Sequence, residues 1–375
     1  MANLPDYRLM IPGPAEMDDE VVAVMGQQIH AHYGPDWVQL YRETIELMQQ
    51  AFATTADVLF LLSSGSGAME AAVGSLFTPG ERVLIVSNGF FGQRLTTITQ
   101  ALDIEVILAT APWGQAINPQ EVRAILERNP DIKGILAVHH ETSTGILNPI
   151  QALGDLAQDF DIPLVVDAIA SLAGDPLLVD TWGIDICVTA GNKCLGAPVG
   201  FAPMAVSDRA WQIMDSKAKT AVGWYLNLKT WRKYMQEWGH WHPTPVTVGS
   251  HNLQALHVAL TKLNQEGLEN RWQRYRETAA WFRAAMKERG FTLLVEGEQA
   301  SSVITAVNGL PGMDIAAFIT YLRDQHHIQI SGGLGELSGQ IMRIGHMGHA
   351  HDNIVAFLAA VDAYLAAESQ SKPSD

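Results

Sequence analysis

Thr189-Ala190-Gly191-Asn192-Lys193-Cys194-Leu195-Gly196-Ala197-Pro198 follows the apolar run Ile184 to Val188 and sets one lysine between two glycine-flanked turns. Small residues on either side leave that amine open to approach. A loop lysine taken alone is ordinarily a solvated one, so the weight lies in the segment upstream. Pro163-Leu164-Val165-Val166-Asp167-Ala168 reads as another buried strand, and it carries an aspartate at its carboxyl end.

The same rhythm extends outward in both directions. Runs rich in Val, Ile and Leu lie at 58–62, 82–87, 105–110, 133–139, 163–167, 185–189 and 200–206. Helical patterns fall between most of them, near 66–78, 91–102, 118–129 and 150–160. Runs that are apolar on both faces and alternate with helices predict an α/β fold, a mostly parallel seven-stranded sheet covered by helices. In such sheets ligands bind beyond the carboxyl ends of the strands.

A chain of 375 residues exceeds what one core usually covers, so a second domain is expected. Residues 1–18, with Pro12-Gly13-Pro14, read as an N-terminal arm, 19–255 as the large domain and 256–375 as a smaller α+β domain. Helical patterns at about 18–29, 36–53, 251–265 and 267–289 flank the alternating region. Beyond them, strand-like stretches at 291–295, 301–308, 327–331 and 339–344 mix with helices at 314–325 and 351–368. The tryptophan-rich stretch 208–250 reads as irregular.

The totals exclude several function classes. Lys and Arg number 24 and Asp and Glu 40, a formal charge of −16. That balance argues against nucleic acid or an anionic membrane as partner. Two cysteines, Cys187 and Cys194, give no disulfide framework, which fits a reducing, cytoplasmic setting. No basic stretch followed by an apolar one opens the chain, the last four residues resemble no peroxisomal address, and no apolar tract is long enough to span a bilayer.

The polar residues after each run carry the chemistry. An aspartate and a lysine at strand ends are what pyridoxal phosphate requires: an amine to bond its aldehyde and a carboxylate to keep its ring nitrogen protonated. Ser63-Ser64-Gly65-Ser66-Gly67 leads into a helix pattern and suits an anion; a plain capped turn is the competing reading. Asn88-Gly89-Phe90-Phe91-Gly92-Gln93-Arg94 offers an aromatic to lie on a planar ring, or a core phenylalanine. In His139-His140-Glu141-Thr142-Ser143-Thr144-Gly145 the hydroxyls suit a cofactor oxygen, and the paired histidines lack a third ligand, so no metal is expected. Arg343 sits inside the apolar run Ile341 to Ile344, where a buried guanidinium calls for an anionic partner such as a substrate carboxylate.

These motifs, with Val166-Asp167-Ala168-Ile169-Ala170-Ser171 and Ser331-Gly332-Gly333-Leu334-Gly335, occur in one order from about residue 9 to 365. Together they resemble the class V pyridoxal-phosphate aminotransferases, in the alanine–glyoxylate and serine–pyruvate branch. The resemblance implies a fold type I homodimer with shared active sites. It implies Lys193 as the lysine bonded to the cofactor and Asp167 as the ring-nitrogen partner. Ser64, Gly65 and Ser66 would line the phosphate, Phe91 would stack on the ring, Ile169 would pack on its other face, and Thr142 would sit by the ring hydroxyl. Asn192 takes the place of a phosphate contact. Trp241 and Thr244 match a segment that reaches the partner subunit's cofactor. Arg343 would bind the substrate carboxylate, with Gly13 lining that end.

One arginine for one carboxylate, with no second cation evident, favours small substrates: alanine or serine as donor, glyoxylate or pyruvate as acceptor. Ureidoglycine, pyridoxamine or a phosphonate as donor is the alternative within the branch. A cysteine desulfurase needs a later catalytic cysteine, and none follows Cys194. A nicotinamide oxidoreductase needs a third glycine where Glu70 stands.

Overall fold

The computed structural model describes residues 5–371, so residues 1–4 and 372–375, both read above for targeting signals, lie outside the described residues. The central sheet has seven strands in the order Asp57–Leu62, Phe201–Val206, Ile186–Val188, Leu164–Asp167, Ile132–Val138, Arg82–Ser87 and Glu105–Thr110. Neighbours run parallel except Phe201–Val206, which is antiparallel to both of its partners.

The near-continuous hydrophobicity of these runs follows from burial on both faces. Phe60, Leu84, Val86, Ile135 and Val166 join one core, while Leu59, Leu61, Val83, Ile85 and Val165 join the other. Successive side chains alternate between the two, as strand geometry requires. Each buried Leu, Ile or Phe contributes about 1.5–3 kcal/mol, so the sheet edge that carries the polar strand ends is a rigid platform.

The stretch 208–250, expected to be irregular, instead contains the helices Asp208–Ser216 and Leu228–Trp238. Ser207 caps the first through Ala210 N, and Asn227 caps the second through Lys229 N. Aromatic residues lower helix propensity only slightly, and Trp211 and Trp231 are buried against the large core. Tertiary packing of those two rings outweighs the weak local signal.

Beyond Gly267 the core changes. Leu253, Leu256, Leu260 and Leu263 of the Ser250–Glu266 helix pack in the large core. Phe282 and Met286 of the Leu268–Glu288 helix join Phe318, Ile344 and Phe357 in a second one. There Ile341–Gly345 is the central strand of three, antiparallel to Ile304–Asn308 and to Ser331–Gly332. The expected strand at 291–295 is irregular and touches this sheet through the Leu293–Val307 bridge. Among the described residues no helix is long and apolar enough to cross a membrane.

The arm joins the parts. Met10 N donates to Gln329 O and Gly345 N to Met10 O, at 2.9 and 2.8 Å, and Ala15 N reaches Asn192 O at 2.9 Å.

The Phe90–Ala101 helix lies close on the sheet because Gly92 has no side chain: a Cβ there would stand 2.7 Å from Ser87 Cα. Gly92→Ala must lift the helix start and Phe91 with it. We expect a stability loss of about 1–3 kcal/mol by urea unfolding, together with weaker cofactor retention.

Candidate active site

Asp167 ends its strand, and in the parallel register it stands beside Val188. Lys193 follows Val188 by one short turn, so one strand pair delivers both groups to the same end of the sheet. Both line a cavity of about 290 Å³. Ser64, Gly65 and Ser66 enter its wall from the start of the Gly65–Leu76 helix, and Phe91 enters from the first turn of the next helix. Thr142, Ile169 and Asn192 complete the set drawn from the sequence.

Ser64 Oγ accepts from Gly67 N at 3.2 Å, which leaves the Gly65 and Ser66 N–H groups at a helix N-terminus without partners among the described residues. Asp167 Oδ1 accepts from Ile169 N at 2.9 Å, and Oδ2 has no partner among the described residues. Burial raises the Asp167 carboxyl to about 6; the Ile169 N–H and, further off, Lys193 and Arg94 pull it down, while Glu141 pushes it up. Lys193 Nζ donates to Pro12 O at 2.5 Å and has no carboxylate within ion-pair distance among the described residues. Burial lowers its pKa, and the positive charges of Arg343 and Arg94 act in the same direction.

These features fit pyridoxal phosphate: free N–H groups for a phosphate, an open carboxylate oxygen for a ring N–H, and an amine that burial favours as neutral. Cys194 is a packing residue. Its thiol is buried, gives its proton to Ala170 O, and is pushed up to about 12, chiefly by burial.

Four residues named from the sequence do not line this cavity. Gly13 (φ +117°) lies against Lys193, and a side chain there would collide with the lysine. Arg343 is 6% exposed and donates through Nε to Gly332 O at 2.8 Å and through Nη1 to Thr142 O at 3.3 Å. Nη2 has no partner among the described residues. Burial lowers this guanidinium to about 10, so it remains charged at neutral pH. Trp241 is on the surface, while Thr244 is buried in its own chain and donates to Val246 O. Of these two, only Trp241 is accessible to a second subunit. The paired histidines part company: His139 Nδ1 lies 3.0 Å from Ser171 Oγ, and His140 Nδ1 lies 3.3 Å from Ser301 Oγ.

Sequence reasoning missed two groups. Arg94 lines the cavity with its guanidinium 4.8 Å from the Phe91 ring centre, so a second cation is present after all. Its spacing, three residues after Phe91 on one helix face, was a readable signal. Glu141 is fully buried and accepts from Phe91 N and Gly92 N at 3.0 Å and from Ser143 Oγ at 2.6 Å. A carboxylate at a helix N-terminus satisfies its orphan donors and its dipole. Glu141 thereby fixes where Phe91 stands.

The raised Asp167 pKa has a consequence for stability. Its ordinary value is 3.8, so above pH 6 the folded apoprotein carries an ionised group that the unfolded chain accommodates more easily. The cost is full above pH 6 and fades as the pH falls toward 3.8. We expect Asp167→Asn to stabilise the cofactor-free protein by about 1–3 kcal/mol at pH 8, with the difference vanishing near pH 4 in urea unfolding.

The model of the aminotransferase class V family matches residues 8–348. An uncharacterized aminotransferase of Methanocaldococcus jannaschii is 37% identical over 95% of this chain and 92% of its own. The crystal structure of an alanine–glyoxylate aminotransferase from Nostoc sp. superposes with a TM-score of 0.93 at 30% identity, covering 97% of this chain and 96% of that one. A ureidoglycine–glyoxylate aminotransferase from Bacillus subtilis superposes at 0.92 and 28% identity, covering 99% and 96%. The chain belongs to the class V aminotransferases, enzymes that depend on pyridoxal phosphate.

Proposed function

We propose that this aminotransferase moves an amino group between a small amino acid, alanine or serine, and a small 2-oxo acid, glyoxylate or pyruvate, in a ping-pong cycle. The observation that carries the reading is Arg343: a buried guanidinium with Nη2 unpaired, next to Thr142 and close enough to Lys193 to lower its pKa. A charged fork held at one end of a compact site suits one carboxylate at a fixed distance from the amine. Arg94, the second cation, is already engaged over the Phe90 and Phe91 rings at 5.1 and 4.8 Å.

Bound pyridoxal phosphate supplies the aldehyde that takes up nitrogen and the ring that spreads the charge left by a departing Cα proton. The protein does the rest. The N–H groups at Ser64–Ser66, with Asn192, hold the phosphate. Phe91 and Ile169 confine the ring, and Thr142 meets its hydroxyl. The Asp167 carboxylate keeps the ring-nitrogen proton in place. Lys193 would be the residue that bonds the cofactor, and its amine, when free, would carry the Cα proton as base and acid.

A homodimer is part of the same proposal. Val199 lines the cavity and is 60% exposed. Tyr234, Trp238, Trp241, His242 and His32 form a row of rings with centres 4.5 to 5.4 Å apart, with Trp241 41% exposed. Trp238 and Trp241 are the exposed members of the row, and exposed aromatics of this kind suit a protein interface. Trp241 then reaches toward the second subunit's cavity. Trp241→Glu should shift the mass measured by sedimentation from two chains to one, and cofactor retention should fall with it. A wild-type monomer that turns over normally would remove the shared-site reading.

The decisive test of the function is a half-reaction screen, in which amino acids are added singly and bleaching of the cofactor's visible band is followed. Alanine or serine should bleach it, while aspartate and glutamate should not. Ureidoglycine or pyridoxamine alone being active would move the assignment to the other donors. Arg343→Ala should raise KM for donor and acceptor about tenfold to a hundredfold, the loss of a charge-assisted contact of about 1.5–3 kcal/mol. Cofactor affinity should stay close to that of the wild type.

A further inference from the structure

His140 has no part in the chemistry above, yet it forms part of the cavity wall and is 1% exposed. Ser301 Oγ, 3.3 Å from its Nδ1, donates to Asp175 Oδ2 at 2.8 Å and accepts from Val303 N at 3.2 Å. Asp175 is itself enclosed and takes Ser302 N on its other oxygen at 2.7 Å. A hydroxyl has one proton to give. The Ser301 proton goes to the carboxylate, so toward His140 the hydroxyl only accepts. Nδ1 must therefore carry the imidazole proton.

Burial lowers the His140 pKa to about 3; His139, Lys193 and Arg283 add to this and the Ala170 carbonyl opposes it. The ring is thus neutral at pH 7, with one proton, on Nδ1. That leaves Nε2 as a bare acceptor, and it is buried without a hydrogen-bond partner among the described residues. Buried polar atoms are rarely left this way. His139 Nδ1 is matched to Ser171 Oγ, and Arg283 is held by Ser301 O and Thr305 Oγ1. Lys193 also lines the cavity, and as the neutral amine that burial favours it keeps one N–H beyond the one given to Pro12 O.

We propose that His140 is a positioning residue for Lys193. The Asp175–Ser301 pair holds it as the Nδ1–H tautomer, and Nε2 accepts an N–H of the Lys193 amine once that amine is free of the cofactor. Held so, the amine keeps its lone pair directed at the donor's Cα while the proton moves. The inference rests on Lys193 being the cofactor-bonded lysine.

The test uses holoenzyme with ¹⁵N-labelled histidine, the His140 signals being assigned by their loss in His140→Gln. Nδ1 should resonate as a protonated nitrogen and Nε2 as a bare one. Nε2 should shift when excess alanine, with no acceptor, releases the lysine. A protonated Nε2, or no shift on release, overturns the proposal. Two variants separate positioning from structure. His140→Gln can place an acceptor near Nε2, whereas His140→Asn reaches only as far as Nδ1. His140→Asn should lower kcat about tenfold, leave KM for alanine within about twofold, and enlarge the isotope effect of Cα-deuterated alanine. His140→Gln should stay near wild type. Equal losses in both variants, or a loss confined to KM, would show a packing role and overturn the proposal. Borohydride fixation, read by mass spectrometry, keeps the two assignments apart. Label on a residue other than Lys193 overturns the anchor and this inference with it. Label on Lys193 with an unmoved Nε2 overturns this inference alone.

Discussion

Two adjacent strands, Leu164–Asp167 and Ile186–Val188, pair in parallel so that Asp167 stands beside Val188, and Ala168 N closes the ladder on Val188 O at 2.8 Å. This register determines where the carboxylate leaves the sheet and where the turn bearing Lys193 begins. A one-residue slip would turn every side chain of the strand to the other face. Val166 and Cys187 would then exchange cores with Val165 and Ile186, all of them fully buried. The apolar core on both faces therefore enforces the separation between the Asp167 carboxylate and the turn that bears Lys193.

The charged groups at that edge are tolerated because a polar network behind them is satisfied. Asn88 and Asn148 exchange hydrogen bonds, Nδ2 to Oδ1 at 2.9 and 3.1 Å, and Asn148 also takes Ile117 N and gives to Val138 O. The Glu141 carboxylate is spent on the helix start that carries Phe91. Satisfied networks in a low dielectric are rigid, and unsatisfied groups there are costly. Asp167 Oδ2, Arg343 Nη2 and His140 Nε2 lie open in or next to the cavity, while other buried atoms without a partner among the described residues, such as Trp272 Nε1 and His346 Nε2, lie elsewhere. Around the cavity, satisfied and open polar groups therefore stand side by side.

This division explains what could be read in the sequence. Asp167, Lys193, Ser64 and Phe91 follow strand ends or open helices, and such positions show as breaks in the apolar rhythm. Arg343 was visible because a guanidinium interrupts Ile341–Ile344. Glu141 was hidden, since its partners lie about fifty residues upstream and a motif of histidines and hydroxyls drew attention past it. The Asp175–Ser301–His140 chain joins residues 126 and 161 positions apart, with no local trace. The helices in 208–250 were lost for a related reason: their caps, Ser207 and Asn227, are local, but the packing that holds Trp211 and Trp231 is not.

The arm carries the last constraint on the site. Its backbone is bonded to Gln329, to Gly345 of the small sheet and to the lysine turn through Asn192, while Pro12 O takes the Lys193 amine. Arg343 sits two residues before Gly345 in the same strand. The distance between the Arg343 guanidinium and the Lys193 amine is therefore set by backbone hydrogen bonds through one arm segment, whose Gly13 has no side chain to hold the lysine away. A movement of the small sheet toward the cavity would carry the arm with it or break those bonds. Arg343 and Lys193 thus behave as the two jaws of one rigid gauge. That rigidity suits a reaction in which substrates share the amine and carboxylate of one carbon and differ only beyond it. In such a site, selectivity is left to the side chains that face what lies beyond that carbon.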